Sequence, residues 1–142
     1  MASYWDTSCV VKLYCRESDS EVFLEALSKE AEPLRSSSLL EAELFFALQQ
    51  KWARGETGTR SPESLFEEFL EDVERGRIHL YPVGSDVIEE SRRVARICFN
   101  HQPSVPLRTL DGLHLATARL ALCERVLSTD LRMKTAAALL GF

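Results

Sequence analysis

The stretch Tyr4–Tyr14, YWDTSCVVKLY, decides the fold. Residues 2–6 end in two large aromatics followed by Asp6 and read as a short strand, and Val10, Val11, Leu13 and Tyr14 supply the apolar residues of a helix from about Ser8 to Arg16. Asp6 stands where the two meet. Taken alone, an aspartate there is an N-cap, because its side chain can accept hydrogen bonds from the first orphan amides of the helix. What more it does depends on which other residues the chain brings to the same place.

The alternation continues outward from this unit. A second helix follows from Ser20, with Val22, Phe23, Leu24 and Leu27 apolar, and Pro33 stops it. PLRSSS (33–38) is a weak strand ending in hydroxyls that can cap a long helix from about Leu39 to Arg54. RGETGTRSP (54–62) makes a turn, with Ser61 and Pro62 as the cap and first-turn pair for the helix ESLFEEFLEDVE (63–74). RIHLYPV (77–83) reads as a strand that Pro82 ends or marks as an edge. Asp86 and Glu89 resemble a capping box opening a helix through Phe99, and NHQPSVPLR (100–108) is an irregular loop. Next come a helix from Thr109 to about Leu122, a strand from Arg125 to Ser128 and a terminal helix from Leu131 to Leu140. No repeat, low-complexity tract or linker interrupts this order, so residues 1–142 read as a single domain.

Strands separated by helices imply an α/β fold with a parallel sheet flanked by helices. In such a sheet each crossover helix starts at the edge where the preceding strand ends, so strand C-termini and helix N-termini share one rim.

Bulk composition narrows the function classes. With 142 residues, 45% of them hydrophobic and 27% charged, the chain is ordinary for one globular domain and unlike a disordered or collagenous one. No apolar run approaches the roughly 20 residues that span a bilayer. No basic segment leads into an apolar stretch at the amino terminus, so the expected location is the cytoplasm. Cys9, Cys15, Cys98 and Cys123 form no C-x-x-C pair, which argues against a zinc knuckle or redox motif and for small buried hydrophobes. A net charge of −5 disfavours a broad nucleic-acid-coating surface, while leaving room for a small site where metal ions offset local negative charge.

Four acids from separate segments fall on the rim. Asp6 and Asp130 end strands, Asp111 lies in the first turn of the helix feeding the last strand, and Glu43 lies in the second turn of the long helix. Each has an ordinary explanation as an N-cap, an acid near a helix N-terminus or a solvated helix face. Gathered together they would repel and raise one another's pKa unless a cation lay between them. Oxygen-rich clusters of this kind suit Mg2+ or Mn2+. Helical spacing alone does not choose between Glu41 and Glu43.

YWDTSCVVKLY, SSSLLEAELFFAL (36–48), TLDGLHLATARLAL (109–122) and STDLRMKTAAALLGF (128–142) resemble, in order and spacing, the PIN-domain ribonucleases, and in particular the VapC toxins of bacterial toxin–antitoxin pairs. The resemblance covers nearly the whole chain. It implies a PIN-like three-layer sandwich with a central, mainly parallel sheet. By motif it carries the family's acids onto Asp6, Glu43, Asp111 and Asp130, and so prefers Glu43 to Glu41. It also implies a divalent metal, cleavage of RNA phosphodiester bonds, and a small VapB-like antitoxin whose C-terminal segment covers the cleft. Family members often continue past the final helix into another short strand, whereas this chain stops at LGF.

The expected mechanism has these four carboxylates hold one or two Mg2+ or Mn2+ ions that activate a water and stabilise the leaving oxygen. Thr7 and Thr129 adjoin two of the acids and could bond to them or to a metal-bound water; capping is the competing role. His114, one turn beyond Asp111, is either a ligand or base, or a core histidine bonded to backbone, the commoner case. Lys12, Arg16, Lys51, Trp52, Arg54 and Arg60 are candidates to guide a single strand by charge and stacking, against a plain solvated surface. Arg92, Arg93 and Arg96 read as solvated, and His79 and His101 have no role. An aspartyl phosphotransferase would want a second acid at position 8, which is Ser8, and no P-loop occurs. A catalytically inactive module whose acidic cleft binds a basic protein segment is the non-enzymatic alternative. Apolar stretches such as LFFALQQKW (44–52) and SLFEEFL (64–70) could serve the core, a partner or a homodimer.

Overall fold

The computed structural model describes residues 2–142. Its elements follow the expected order: β1 (Ser3–Trp5), α1 (Thr7–Tyr14), α2 (Ser20–Ser28), β2 (Leu34–Ser37), α3 (Leu39–Ala53) and α4 (Pro62–Glu74), then β3 (Ile78–Tyr81), α5 (Ser85–Asn100), α6 (Thr109–Leu120), β4 (Arg125–Leu127) and α7 (Leu131–Leu139). All strand pairs are parallel, in the order β3-β2-β1-β4. The chain therefore builds outward from β1 to β3 and returns to β1's other side for β4. That reversal lies between the C-terminal ends of β1 and β4, where open α/β sheets characteristically form a crevice.

Alternation along β1 creates the two outer layers. Successive strand side chains point to opposite faces, and Tyr4 and Trp5 are both completely buried. Trp5 packs with Val10, Leu34, Leu44, Leu48, Phe69 and Ile78, under α1 to α4. Tyr4 packs on the other face against Ala118 and Ala121 of the α6 end, beside a second apolar group drawn from α5, α6 and α7 that includes Val94, Leu115 and Met133. Helices thus cover both faces of a parallel sheet, the expected three-layer arrangement. Two polar clamps register the layers. Arg125 donates to Ser3 Oγ at 2.7 Å and to Glu30 at 2.6 Å, pinning β4 to β1. The buried Glu90 of α5 is held by Arg93 at 2.6 Å and by Arg119 of α6 at 2.9 Å.

Element ends correct several expectations. Ser61 caps α4 as expected, its hydroxyl accepting from Ser64 N at 3.1 Å with Pro62 in the first turn. Asp86 does not cap α5: the cap position is Gly84, which has no side chain to offer, and Asp86 sits two residues further on, inside the first turn. Its charge is still favourably placed near the helix N-terminus. The hydroxyl of Ser38, at the α3 cap, makes no capping bond; Ser37 Oγ accepts from Leu39 N at 3.1 Å instead. α6 ends at Leu120 rather than near Leu122, because Leu122 turns into the left-handed region at φ 54° and Cys123 N returns to Ala118 O at 3.1 Å, a helix-ending bond pattern. The turn from α4 into β3 uses Gly76 at φ 75°, a conformation that glycine adopts without strain. No strand follows α7 among the described residues.

Phe69 joins α4 to the sheet, its ring set edge-on to Tyr14 at 5.9 Å and tilted on Phe66 at 5.4 Å. Because the side chain is fully buried, Phe69→Ala is expected to cost about 3–5 kcal/mol of unfolding free energy in urea titrations. A loss below about 1 kcal/mol would show that this side of the core is not closely packed.

Candidate active site

The rim at the β1/β4 reversal collects its polar groups in a defined order. Asp6 follows β1 directly and occupies the cap position of α1, yet its carboxylate makes no capping bond. The backbone carbonyl of Asp6 starts the helix by accepting from Cys9 N and Val10 N, both at 3.1 Å. Its buried side chain accepts instead from Ser8 Oγ through Oδ1. Ser8 Oγ in turn accepts from Thr129 N at 3.1 Å, tying the start of α1 to the loop between β4 and α7. Asp130 does cap its helix, Oδ1 accepting from Met133 N at 2.9 Å. Capping engages one oxygen of that carboxylate.

Glu43 reaches the rim from the second turn of α3, half-buried, while Glu41 is exposed. Its Oε1 accepts from Thr7 Oγ1 at 3.1 Å and bonds His114 Nε2 at 2.5 Å. Burial pushes the Glu43 carboxyl up, but its interaction with His114, with the Thr7 hydrogen bond adding to it, more than offsets this and leaves the group below its ordinary value. Thr7 therefore serves Glu43 rather than the adjacent Asp6. Thr129 contributes its amide, and no hydrogen bond of its hydroxyl is found among the described residues.

Asp111 lies in the first turn of α6. Among the described residues, three buried side-chain polar atoms lack a hydrogen-bond partner, Trp5 Nε1, Thr57 Oγ1 and Asp111 Oδ2, and only the last belongs to a carboxylate. Arg108 Nε stands 3.8 Å away, too far for a hydrogen bond. Burial raises the Asp111 carboxyl, Arg108 opposes this, and the negative charges of Asp130 and Asp6 raise it further. Asp130 and Asp6 thus act electrostatically on Asp111, and Glu43, the fourth of the sequence-selected acids, is bonded to Thr7, the residue following Asp6. The side chains do not close a cage: among the described residues no three His, Cys, Asp or Glu groups are arranged to hold a metal ion by themselves. The donor set is nevertheless all carboxylate, the chemistry that suits Mg2+ or Mn2+, and Mg2+ is usually bound through one or two carboxylates plus waters and substrate phosphates.

His114 is where the sequence reading needs most correction. It is 2% exposed and bonds side chains rather than backbone, with Nε2 on Glu43 and Nδ1 on Tyr4 Oη at 2.5 Å. Ser8 and Tyr4 were not selected from sequence; the hydroxyl two residues after Asp6 was the available signal for Ser8, and none existed for Tyr4. Lys12 and Lys51 are engaged by carboxylates of the protein itself. Lys12 binds Glu17 at 3.2 Å and Asp19 at 2.7 Å, and the buried Lys51 binds Glu17 at 2.9 Å. Arg16, Arg54 and Arg60 are exposed but paired with Glu21, Glu56 and Glu68, and Trp52 is exposed. Positive charge beside the acids comes instead from Arg108 and Arg132, which line an open cavity of about 600 Å3 together with Asp130 and Leu131. All four cysteines are free and buried, as expected. Burial, with the Asp6 charge second, pushes the Cys9 thiol up to about 12, which keeps it protonated.

The PIN domain family model matches residues 3–139. Ribonuclease VapC46 of Mycobacterium tuberculosis (strain ATCC 25618 / H37Rv) is 34% identical over 142 residues, covering 99% of this chain and 93% of the relative. The crystal structure of Mycobacterium tuberculosis VapC20, described as a Sarcin-Ricin loop cleaving toxin, superposes with a TM-score of 0.68 over 94% of each chain at 14% identity, a likeness of fold. No helix among the described residues is long and apolar enough to cross a membrane.

The raised Asp111 carboxyl sets a pH dependence. An acid whose folded pKa lies above its unfolded value costs stability once pH exceeds both, and costs nothing below both. Asp111→Asn is therefore expected to raise the urea midpoint of chelator-treated protein at neutral pH. The gain should shrink as pH falls through the carboxylate range. A variant less stable than wild type at neutral pH would mean that burial and the neighbouring carboxylates do not penalise the Asp111 charge as described.

Proposed function

This chain belongs to the PIN-domain family, and on that premise we propose that it is a VapC-type toxin, an endoribonuclease hydrolysing RNA phosphodiester bonds with Mg2+ or Mn2+ held by Asp6, Glu43, Asp111 and Asp130. That the protein is a nuclease rests on 34% identity to a ribonuclease over 99% of the chain. The metal assignment is supported above all by Asp111 Oδ2, a buried carboxylate oxygen with no hydrogen-bond partner in the protein, the Arg108 guanidinium standing 3.8 Å off. Such an atom is expensive unless something outside the side-chain network satisfies it.

Bound at these carboxylates, the metal would supply Lewis-acid stabilisation at phosphorus and a water of lowered pKa. The chain's own residues do the arranging. Ser8 orients Asp6 and links it to the loop carrying Asp130; Thr7 and His114 orient Glu43; the α7 amide of Met133 leaves Asp130 one oxygen beyond its cap. Arg108 and Arg132 line a cavity beside Asp130 and would supply positive charge for the phosphates of a strand lying there. A VapB-like antitoxin is the proposed protein partner, its C-terminal segment covering the same acidic cleft. A homodimer is the further assembly proposed, supported by Phe46 and Trp52, 70% and 47% exposed on α3. The cytoplasm is its proposed location.

Purified protein is expected to cleave RNA with Mg2+ or Mn2+ and to stop when the metal is chelated. Asp6→Asn should lower the rate by at least about 100-fold, the scale of a lost metal-centred transition-state contact of several kcal/mol. Equal cleavage by wild type and Asp6→Asn would reject the assignment.

A further inference from the structure

We propose that Tyr4 and His114 form a positioning relay for Glu43, in which the Tyr4 hydroxyl donates to His114 Nδ1, confines the ring proton to Nε2, and so commits Glu43 Oε1 to the protein and Oε2 to the rim. This rests on the reading of Glu43 as a metal-holding carboxylate. The three groups come from three separate elements, β1, α6 and α3, and both bonds of the imidazole measure 2.5 Å.

The polarity of the chain of bonds follows from what each group can do. An ionised carboxylate only accepts, so the nitrogen facing Glu43 must carry a proton. In a neutral imidazole the other nitrogen then accepts, and the phenol must donate to it. Burial raises the Tyr4 phenol well above its ordinary value and keeps it a donor. Ser36 also lies beside the phenol, but its hydroxyl donates to Trp5 O at 2.7 Å. Thr7 Oγ1 adds a second donor to the same oxygen, Glu43 Oε1, at 3.1 Å. Oε2 has no donor among the described residues. The arrangement is that of a ligand oriented from behind, where outer hydrogen-bond partners fix which atom is presented. A histidine held only for packing would not need both nitrogens engaged by side chains 110 and 71 residues away.

Two readouts on the full chain test this. Long-range 1H–15N spectra of the histidine rings in metal-free protein, at mildly alkaline pH, should show His114 as the Nε2–H tautomer. Tyr4→Phe should give a mixture of tautomers. A wild-type ring protonated on Nδ1 alone, or on both nitrogens, would overturn the relay, because the Tyr4 bond would then run the other way. Mn2+ titration calorimetry supplies the second readout. His114→Ala and Tyr4→Phe should weaken Mn2+ binding on the order of 10- to 100-fold, the usual effect of removing an outer partner. His114→Gln, whose amide N–H can stand in for Nε2–H, should retain most of the affinity. Thermal unfolding of each apo variant separates this from loss of fold, and Tyr4→Phe keeps the test open if His114→Ala does not fold. Unchanged Mn2+ affinity in folded His114→Ala or Tyr4→Phe, or no recovery in folded His114→Gln, would reject the positioning role. Asp6→Asn should lose Mn2+ while leaving the His114 tautomer unchanged. If wild type binds no Mn2+, the metal reading of Glu43 fails, and the tautomer spectra still decide whether the relay exists.

Discussion

Register in a three-residue strand governs this molecule. β1 is paired on both sides, and its two aromatics bury completely on opposite faces. A slip by one position would send Trp5 towards α6 and Tyr4 under α1, exchanging every partner of both side chains. The same register puts Asp6 just past the last paired residue, with its amide still donating to Leu127 O at 3.1 Å. Core packing and the placement of the rim carboxylates are therefore one constraint. Tyr4 makes the link explicit, since its ring lies in the core and its hydroxyl ends on the histidine that holds Glu43.

Much of this was legible because each element's signal is local. Alternating short apolar runs and helical periodicities located every strand and helix to within a few residues, and strand–helix alternation implied a parallel sheet with a common rim. Asp6, Asp111 and Asp130 follow from that rim alone. Glu43 did not, because helix spacing left Glu41 equally open until the motif likeness was considered; in the fold, Glu41 is exposed and Glu43 is turned inward.

What escaped the reading is non-local. Lys12 and Lys51 look like surface cations on their own helices, but they meet over Glu17, a residue of the α1–α2 connection that neither helix pattern includes. His114 read more readily as a core histidine bonded to backbone than as a ligand or base, since nothing near it in sequence marks Tyr4 or Glu43 as partners. The end of α6 was misjudged because a leucine, not a glycine, takes the left-handed position, and no compositional signal accompanies it. Asp86 misled in the opposite direction: its spacing to Glu89 fits a capping box, but the cap falls two residues earlier, at Gly84.

The brevity of the outermost strands has a bearing on self-association. β4 offers three residues, and β3 four, with Pro82 immediately beyond its last one. Edges this short present few free amides, and proline removes the next donor, so docking a foreign strand there gains little. Fibre-like growth through sheet extension is correspondingly discouraged. Contacts between copies fall to the helical shell, where side-chain chemistry rather than backbone hydrogen bonding selects the neighbour.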